Sequence, residues 1–80
     1  MIFNERLKML RKERKMTQVQ AAEALGLNYR HYQRLEADGN TPNFVNLVQI
    51  ADLFGVSIDY LVGRTDNREI NSAVPESGEQ

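Results

Sequence analysis

Apolar side chains recur at helical spacing along most of the chain. Phe3, Leu7 and Leu10 stand at positions i, i+4 and i+7, and charged residues fill most of the positions between them. Such a stripe is typical of an amphipathic helix that buries one face. The pattern predicts a first helix over roughly residues 3–14, and no segment has the alternating pattern of a strand.

Two short helices are predicted next, on either side of a glycine. Thr17 and Gln20 form a Thr-x-x-Gln capping box, in which each side chain bonds to the backbone N–H of the other residue. The second helix stops at Gly26, because glycine tolerates the left-handed conformation that a helix end needs. Asn28 caps the third helix, whose Tyr32 faces inward.

Two further helices and a polar tail complete the pattern. Asn43 caps a fourth helix with an apolar i, i+3, i+4, i+7 stripe, and Ser57 caps a short fifth helix over residues 58–62. The residues that follow are polar and aperiodic, which is typical of a flexible chain. We therefore predict an all-α fold, with one compact five-helix domain over residues 1–63 and a disordered tail over residues 64–80.

Composition narrows the class of protein. The 80 residues provide one hydrophobic core, and 41% hydrophobic with 26% charged residues is the composition of an ordinary globular domain. The chain has no cysteine and a single histidine, so we predict no disulfide, no metal site and no cofactor. No apolar run of transmembrane length and no secretory segment occurs in it. We expect a cytoplasmic protein without a membrane partner.

The charges are unevenly distributed. Residues 1–34 carry eight of the ten Lys and Arg residues against three acidic residues, a net charge of +5, whereas residues 35–80 carry two against eight, a net charge of −6. A chain divided in this way can present a basic face to phosphates although its net charge is −1. Basic runs are also typical of solvated helix faces, and the charge pattern alone does not decide between the two.

The second and third helices have the arrangement of a helix-turn-helix motif, over about residues 17–37. In such a motif the first helix lies across the DNA backbone and the second enters the major groove. A helix about 10–12 Å across fits a groove about 12 Å wide. The outward residues near the N-terminus of the third helix are Tyr29, Arg30, Gln33 and Arg34. Arginine suits guanine there, because its fork pairs with O6 and N7 together.

Many residues at fixed spacings extend this motif through residues 3–63. They are Arg11, Thr17-Gln18, Ala22, Gly26, Tyr32, Leu35-Glu36, Gly39, Pro42 and the stretch Leu47-x-x-Ile50-Ala51-x-x-Phe54-Gly55-Val56-Ser57-x-x-x-Leu61. This set resembles the Cro/CI-type (XRE) helix-turn-helix repressors of phages and bacteria. The resemblance implies a lambda-repressor-like fold and a homodimer bound to double-stranded DNA at a two-fold symmetric operator. It also implies regulation of transcription, usually repression.

The resemblance assigns roles to individual residues. The family's base readers fall on Tyr29, Arg30 and Arg34, and we place Gln33 beside them. Gln18 matches a glutamine that holds a phosphate and supports the reading helix, at a helix N-terminus that itself favours anions. Further phosphate contacts are expected at Thr17, His31, Asn40 and Asn43.

Several of these residues have a structural alternative. Arg11 and Glu36 match a family pair that forms a salt bridge between the first and third helices, and we interpret Arg11 as scaffold first and phosphate contact second. Tyr29 either contacts a thymine methyl group or a phosphate, or packs as an ordinary surface aromatic. His31 is either a phosphate contact or an exposed residue without a role.

The chain departs from the family at two positions. Position 21, usually a large aliphatic residue, is Ala21, and position 32, usually aliphatic, is Tyr32. Protein interiors are packed too densely to tolerate a void of that size. We hypothesise that the tyrosine ring fills the volume that the alanine leaves.

Two other classes of function are weighed against DNA binding. An enzyme is not expected, because no carboxylate pair, no nucleophile with a histidine and no phosphate-binding glycine loop stands at usable spacing. A protein-interaction adaptor or antitoxin-type partner is the alternative, with Ile70 and Val74 of the tail folding onto a partner. The outward Arg30 and Arg34 argue against a pure adaptor.

Overall fold

The computed structural model describes residues 2–70, and these residues form five helices and no strand. The helices are α1 (Ile2–Glu13), α2 (Gln18–Leu25), α3 (Tyr29–Glu36), α4 (Phe44–Phe54) and α5 (Ile58–Leu61). This architecture confirms the all-α, five-helix prediction. The first helix begins and ends one residue earlier than predicted, and the last ends before Val62, which is its C-cap. No helix in the described part of the chain has both the length and the hydropathy that a membrane span requires.

Side-chain caps begin four of these helices. Thr17 and Gln20 form the predicted capping box, with 3.0 Å from Gln20 N to Thr17 Oγ1 and 2.8 Å from Thr17 N to Gln20 Oε1. The predicted caps Asn28, Asn43 and Ser57 each accept a hydrogen bond from the backbone N–H three residues further on. A cap of this kind contributes about 1 kcal/mol. The residues that predicted the helix starts therefore also stabilise them.

One apolar core holds the helices together. Its largest fully buried side chains are Tyr32, Leu7, Ile50 and Leu61, one each from α3, α1, α4 and α5. The second helix faces this core with Ala21, Ala22 and Leu25, and Ala21 and Tyr32 are both fully buried in the same cluster. The structure thus places the two unusual positions in one core, as the compensation hypothesis requires. Compensation itself stays a prediction.

The residues that follow α5 lie against α1 and α5. Arg6 of α1 pairs with Asp66 at 2.6 Å, and Arg68 forms a bidentate ion pair with Glu13, with N–O distances of 2.8 and 2.7 Å. The guanidinium groups of Arg6 and Arg68 lie over the ring of Tyr60, at 4.2 and 5.3 Å from its centroid. Cation–π contacts and ion pairs therefore attach this segment to the helical body.

The tail predicted from residue 64 onward thus begins with a segment that contacts the helices. Of the two tail residues used by the adaptor hypothesis, Ile70 is exposed. Val74 and the rest of residues 71–80 lie outside the described residues.

Candidate nucleic-acid interface

A tight turn at Gly26 sets the angle between α2 and α3. Gly26 has φ 71° and ψ 25°, the left-handed conformation. Its N–H donates to the carbonyl oxygen of Glu23 at 3.1 Å, and the N–H of Leu27 donates to that of Ala22 at 2.9 Å. Leu27 then packs against the core. The chain therefore reverses within a few residues, which brings the two short helices together as a helix-turn-helix requires.

One side of the third helix faces the core, and the other side faces solvent. Tyr32 and Leu35 are buried, whereas Arg30, Gln33 and Arg34 are exposed and lie within about 100° of one another around the helix axis. Within residues 2–70, neither Arg30 nor Arg34 forms an ion pair. The outer face of α3 therefore presents two guanidinium groups that are available to a ligand.

A buried ion pair joins α1 to α3 behind this face. Arg11 Nε and Nη2 donate to Glu36 Oε2 and Oε1 at 2.6 and 3.2 Å, and Arg11 Nη1 donates to the carbonyl oxygen of Met16 at 2.9 Å. The two charged side chains are 11% and 4% exposed. This is the geometry that the scaffold interpretation of Arg11 expects, and so buried a guanidinium offers little surface to a phosphate.

Four hydrogen bonds keep Glu36 ionised. Besides Arg11, the Tyr32 hydroxyl and Gln18 Nε2 donate to its carboxylate, the latter at 3.1 Å. Burial by itself raises the pKa of Glu36, but the hydrogen bonds outweigh it and hold the pKa below its ordinary value. Burial, and then the bond to Glu36, raise the pKa of Tyr32. The tyrosine therefore stays protonated and remains a hydrogen-bond donor.

Hydrogen bonds continue from Glu36 to the surface of α3. Gln18 bonds to Glu36 through Nε2, and its Oε1 accepts from the Tyr29 hydroxyl at 3.4 Å. The Tyr29 oxygen accepts in turn from Gln33 Nε2 at 2.8 Å. The structure therefore brings several of the predicted site residues into one network, which runs from Arg11 in α1 to Gln33 on the exposed side of α3.

The residues expected to contact phosphates lie in α3, at the N-termini of α2 and α4, and in the loop between α3 and α4. Thr17 and Asn43 stand at the N-termini of α2 and α4, and each side chain caps its helix. Asn40 Nδ2 donates to a carbonyl oxygen at the end of α3 at 3.3 Å. His31 is half-buried, and its Nε2 lies 3.3 Å from Asn46 Nδ2. His31 thus ties α3 to α4, a contact that neither of its two interpretations included.

Asn4, which the sequence pattern did not single out, supports the loop between α3 and α4. It is buried, and its Nδ2 donates to the carbonyl oxygens of Leu35 and Asn40 at 2.7 and 3.0 Å. A signal for it exists, because Asn4, Leu7 and Arg11 stand at i, i+3 and i+7 on the stripe that α1 buries. A polar side chain on a buried stripe needs partners, so it predicts a contact with another element.

This surface has the means to bind an extended anion. The outer face of α3 carries Arg30 and Arg34. Gln18 in the first turn of α2 bonds to Tyr29, and Asn46 in the first turn of α4 lies 3.3 Å from His31, so the N-termini of both helices, which favour negative charge, lie beside α3. No group of His, Asp or Glu among residues 2–70 is arranged to hold a metal ion. The fold and the surface together define a protein of the helix-turn-helix class.

Comparison with known proteins gives the family. A family model described as Helix-turn-helix matches residues 7–61. The chain belongs to this helix-turn-helix family, which confirms the resemblance to Cro/CI-type (XRE) proteins. No solved structure gives a significant match.

The curated relatives are regulators and repressors. The chain is 39% identical over 66 residues to the uncharacterized HTH-type transcriptional regulator YobD of Bacillus subtilis, a match that covers 82% of this chain and 59% of the relative. It is 38% identical over 73 residues to the cryptic phage CTXphi transcriptional repressor RstR of Vibrio cholerae, covering 88% and 65%. It is 36% identical over 63 residues to the immunity repressor protein of Bacillus phage phi105, covering 79% and 44%. The chain therefore spans less than two thirds of the length of these relatives.

Proposed function

We propose that this chain is a transcriptional repressor that binds double-stranded DNA in a sequence-specific manner, with α3 in the major groove. The observation that carries the proposal is the outer face of α3, where Arg30 and Arg34 are exposed and form no ion pair within residues 2–70. The inner side of the same helix is held by the core and by the ion pair of its Glu36 with Arg11 of α1. Membership of the family and the names of the relatives support this function.

Base reading falls to the exposed residues of α3. Arg30 and Arg34 pair with O6 and N7 of guanine, and each good bidentate contact discriminates against a wrong base by about 1–3 kcal/mol. Tyr29, which is 43% exposed at the first turn of the helix, contacts a thymine methyl group with its ring. Gln33 reads a further base beside it.

Phosphate contacts fix the position of α3 in the groove. Gln18 and Thr17 hold one phosphate at the N-terminus of α2, where the helix dipole favours an anion. Asn40, Asn43 and His31 contact the backbone on the other side of α3. Contacts of this kind carry no base information, but they determine the register of the protein on the duplex.

The assembly and the setting complete the proposal. We infer a homodimer, because an operator with two-fold symmetry presents two half-sites about one helical turn apart to two identical reading helices. We also place the protein in the cytoplasm, and we expect it to act without a metal, a cofactor or a catalytic step.

An adaptor or antitoxin-type role is the competing function. Phe44 and Val45, which are 73% and 62% exposed at the start of α4, form an apolar surface that a partner protein would cover. A pure adaptor does not need the exposed arginine side chains of α3 to read bases. It would therefore bind DNA weakly and without sequence preference.

Binding to DNA separates the two functions. A randomised duplex pool is bound at two salt concentrations, and the bound fraction is sequenced for the wild-type protein, for Arg30→Ala and for a charge-matched control, Arg64→Ala. Arg64 is exposed outside α2 and α3, with a loose contact of 3.9 Å to Asp59. We expect a two-fold symmetric, salt-sensitive motif whose guanine preference relaxes only in Arg30→Ala. Weak, uniform binding by all three proteins would reject the proposal and favour the adaptor.

A further inference from the structure

In the hydrogen-bond network that starts at Glu36, the acceptor at one end determines which group donates and which accepts in each following bond. An ionised carboxylate accepts hydrogen bonds and donates none. Arg11, whose Nε lies 2.6 Å from Glu36 Oε2, keeps this carboxylate ionised. Gln18, whose amide lies 3.1 Å from Glu36 Oε1, must therefore turn its NH2 group toward the carboxylate. The reverse orientation would bring two oxygen atoms together. The carbonyl oxygen of Gln18 consequently points away from Glu36.

The same constraint passes through Tyr29 to Gln33. Gln18 Oε1 only accepts, so the Tyr29 hydroxyl, 3.4 Å away, gives its single proton to Gln18. The phenol oxygen is then left as an acceptor, and Gln33 turns Nε2 to it at 2.8 Å. Gln33 Oε1 therefore faces away from the network, on the exposed side of α3.

We propose that Tyr29 fixes the orientation of the Gln33 amide, so that Gln33 presents its carbonyl oxygen to the major groove and reads adenine. The inference rests on the proposed function, because it assigns a base to the same DNA-reading helix. Gln33 lies about 60° from Arg30 around the helix axis and shares its exposed face.

Adenine is the base that fits a glutamine held in this way. Its N6 amino group donates to Gln33 Oε1, and its N7 accepts from the Nε2 proton that does not bond to Tyr29. Guanine offers two acceptors and thymine one acceptor and a methyl group at the same edge. Both would meet the carbonyl oxygen unfavourably unless the amide rotated, and the Tyr29 hydroxyl opposes that rotation. Tyr29 is thus a positioning residue for Gln33.

Tyr29→Phe tests the inference, because it removes the hydroxyl group and keeps the ring together with any contact that the ring makes. Base preferences are measured by sequencing the bound fraction of a randomised duplex pool for the wild-type protein, Tyr29→Phe, Gln33→Ala and the double variant. The position that loses its preference in Gln33→Ala is the one that Gln33 reads. We expect adenine there in the wild type, and a preference roughly fivefold or more weaker in Tyr29→Phe. In the Gln33→Ala background, Tyr29→Phe should have no further effect at this position.

Two results would overturn the inference while the proposed function stood. One is a symmetric motif in which Tyr29→Phe keeps the wild-type adenine preference, and the other is a preference for guanine, thymine or cytosine at the position that Gln33 reads. A wild-type protein with no base preference at any position would instead overturn the proposed function. Thermal unfolding of Tyr29→Phe, whose side chain is exposed, serves as the folding control and should match that of the wild type.

Discussion

Replacing Glu36 with glutamine tests how strongly the buried network holds α3 to the rest of the domain. The carboxylate accepts from two N–H groups of Arg11, from the Tyr32 hydroxyl and from Gln18. The amide keeps one oxygen as acceptor, turns an NH2 group toward other donors and leaves the Arg11 guanidinium buried without its counter-charge. Breaking a buried ion pair from one side costs about 3–5 kcal/mol. The whole stability of an 80-residue domain is only about 4–12 kcal/mol.

We expect Glu36→Gln to lower the free energy of unfolding in urea titrations by at least about 3 kcal/mol. The melting temperature should fall by roughly 12 °C or more. Glu13→Gln is the matched control, because it removes the same charge from the largely exposed pair with Arg68 and should change little. A free energy of unfolding within about 1 kcal/mol of the wild type for Glu36→Gln would refute the reasoning.

Three further perturbations have defined outcomes. Tyr32→Ile should lower the free energy of unfolding, measured in urea, by about 2–4 kcal/mol. Adding Ala21→Leu should recover the part of this loss that is due to volume, but not the part that is due to the lost hydroxyl bond to Glu36. If the second substitution recovers no stability, the compensation hypothesis is wrong. In Gly26→Ala the new Cβ meets no atom within 4 Å, but alanine must adopt φ 71°. Thermal unfolding should therefore show a stability lower by about 1–2 kcal/mol. An unchanged melting temperature would contradict this. The folded-state pKa of Glu36 lies below its ordinary value of 4.5, so its contribution to stability is complete above pH 4.5 and is lost as the pH falls through the folded-state value. Acid titrations of the melting temperature should accordingly be flatter for Glu36→Gln, and identical slopes would speak against the assignment.

The helix boundaries were predictable because local chemistry determines them. The caps at Thr17, Asn28, Asn43 and Ser57 accept hydrogen bonds from N–H groups three residues away. Gly26 ends α2 in the left-handed conformation, which glycine adopts independently of contacts with the rest of the chain. Such interactions involve only neighbours in sequence, so a single sequence contains them in full.

The network behind α3 was predictable only in part. Arg11 and Glu36 were expected as a pair through the family resemblance. The bond from Tyr32 to the same carboxylate was missed although Tyr32 and Glu36 stand at i and i+4 on α3, a spacing that brings side chains together. The bond from Gln18, which lies on another helix, was not predictable. Residues on different helices meet through the packing of the core, and no periodic pattern records which polar groups then come within reach. The bidentate pair of Arg68 with Glu13, 55 residues apart, was missed for the same reason.

The most direct test of DNA reading by α3 is a titration of the ¹⁵N-labelled protein with the selected duplex, followed through the backbone amide resonances. We expect saturable changes at Thr17 and Gln18, along residues 29–34 and in the loop before α4, and much smaller changes with a scrambled duplex of equal length. Changes confined to α1 and α5, or equal changes with both duplexes, would contradict the assignment of α3 as the reading helix.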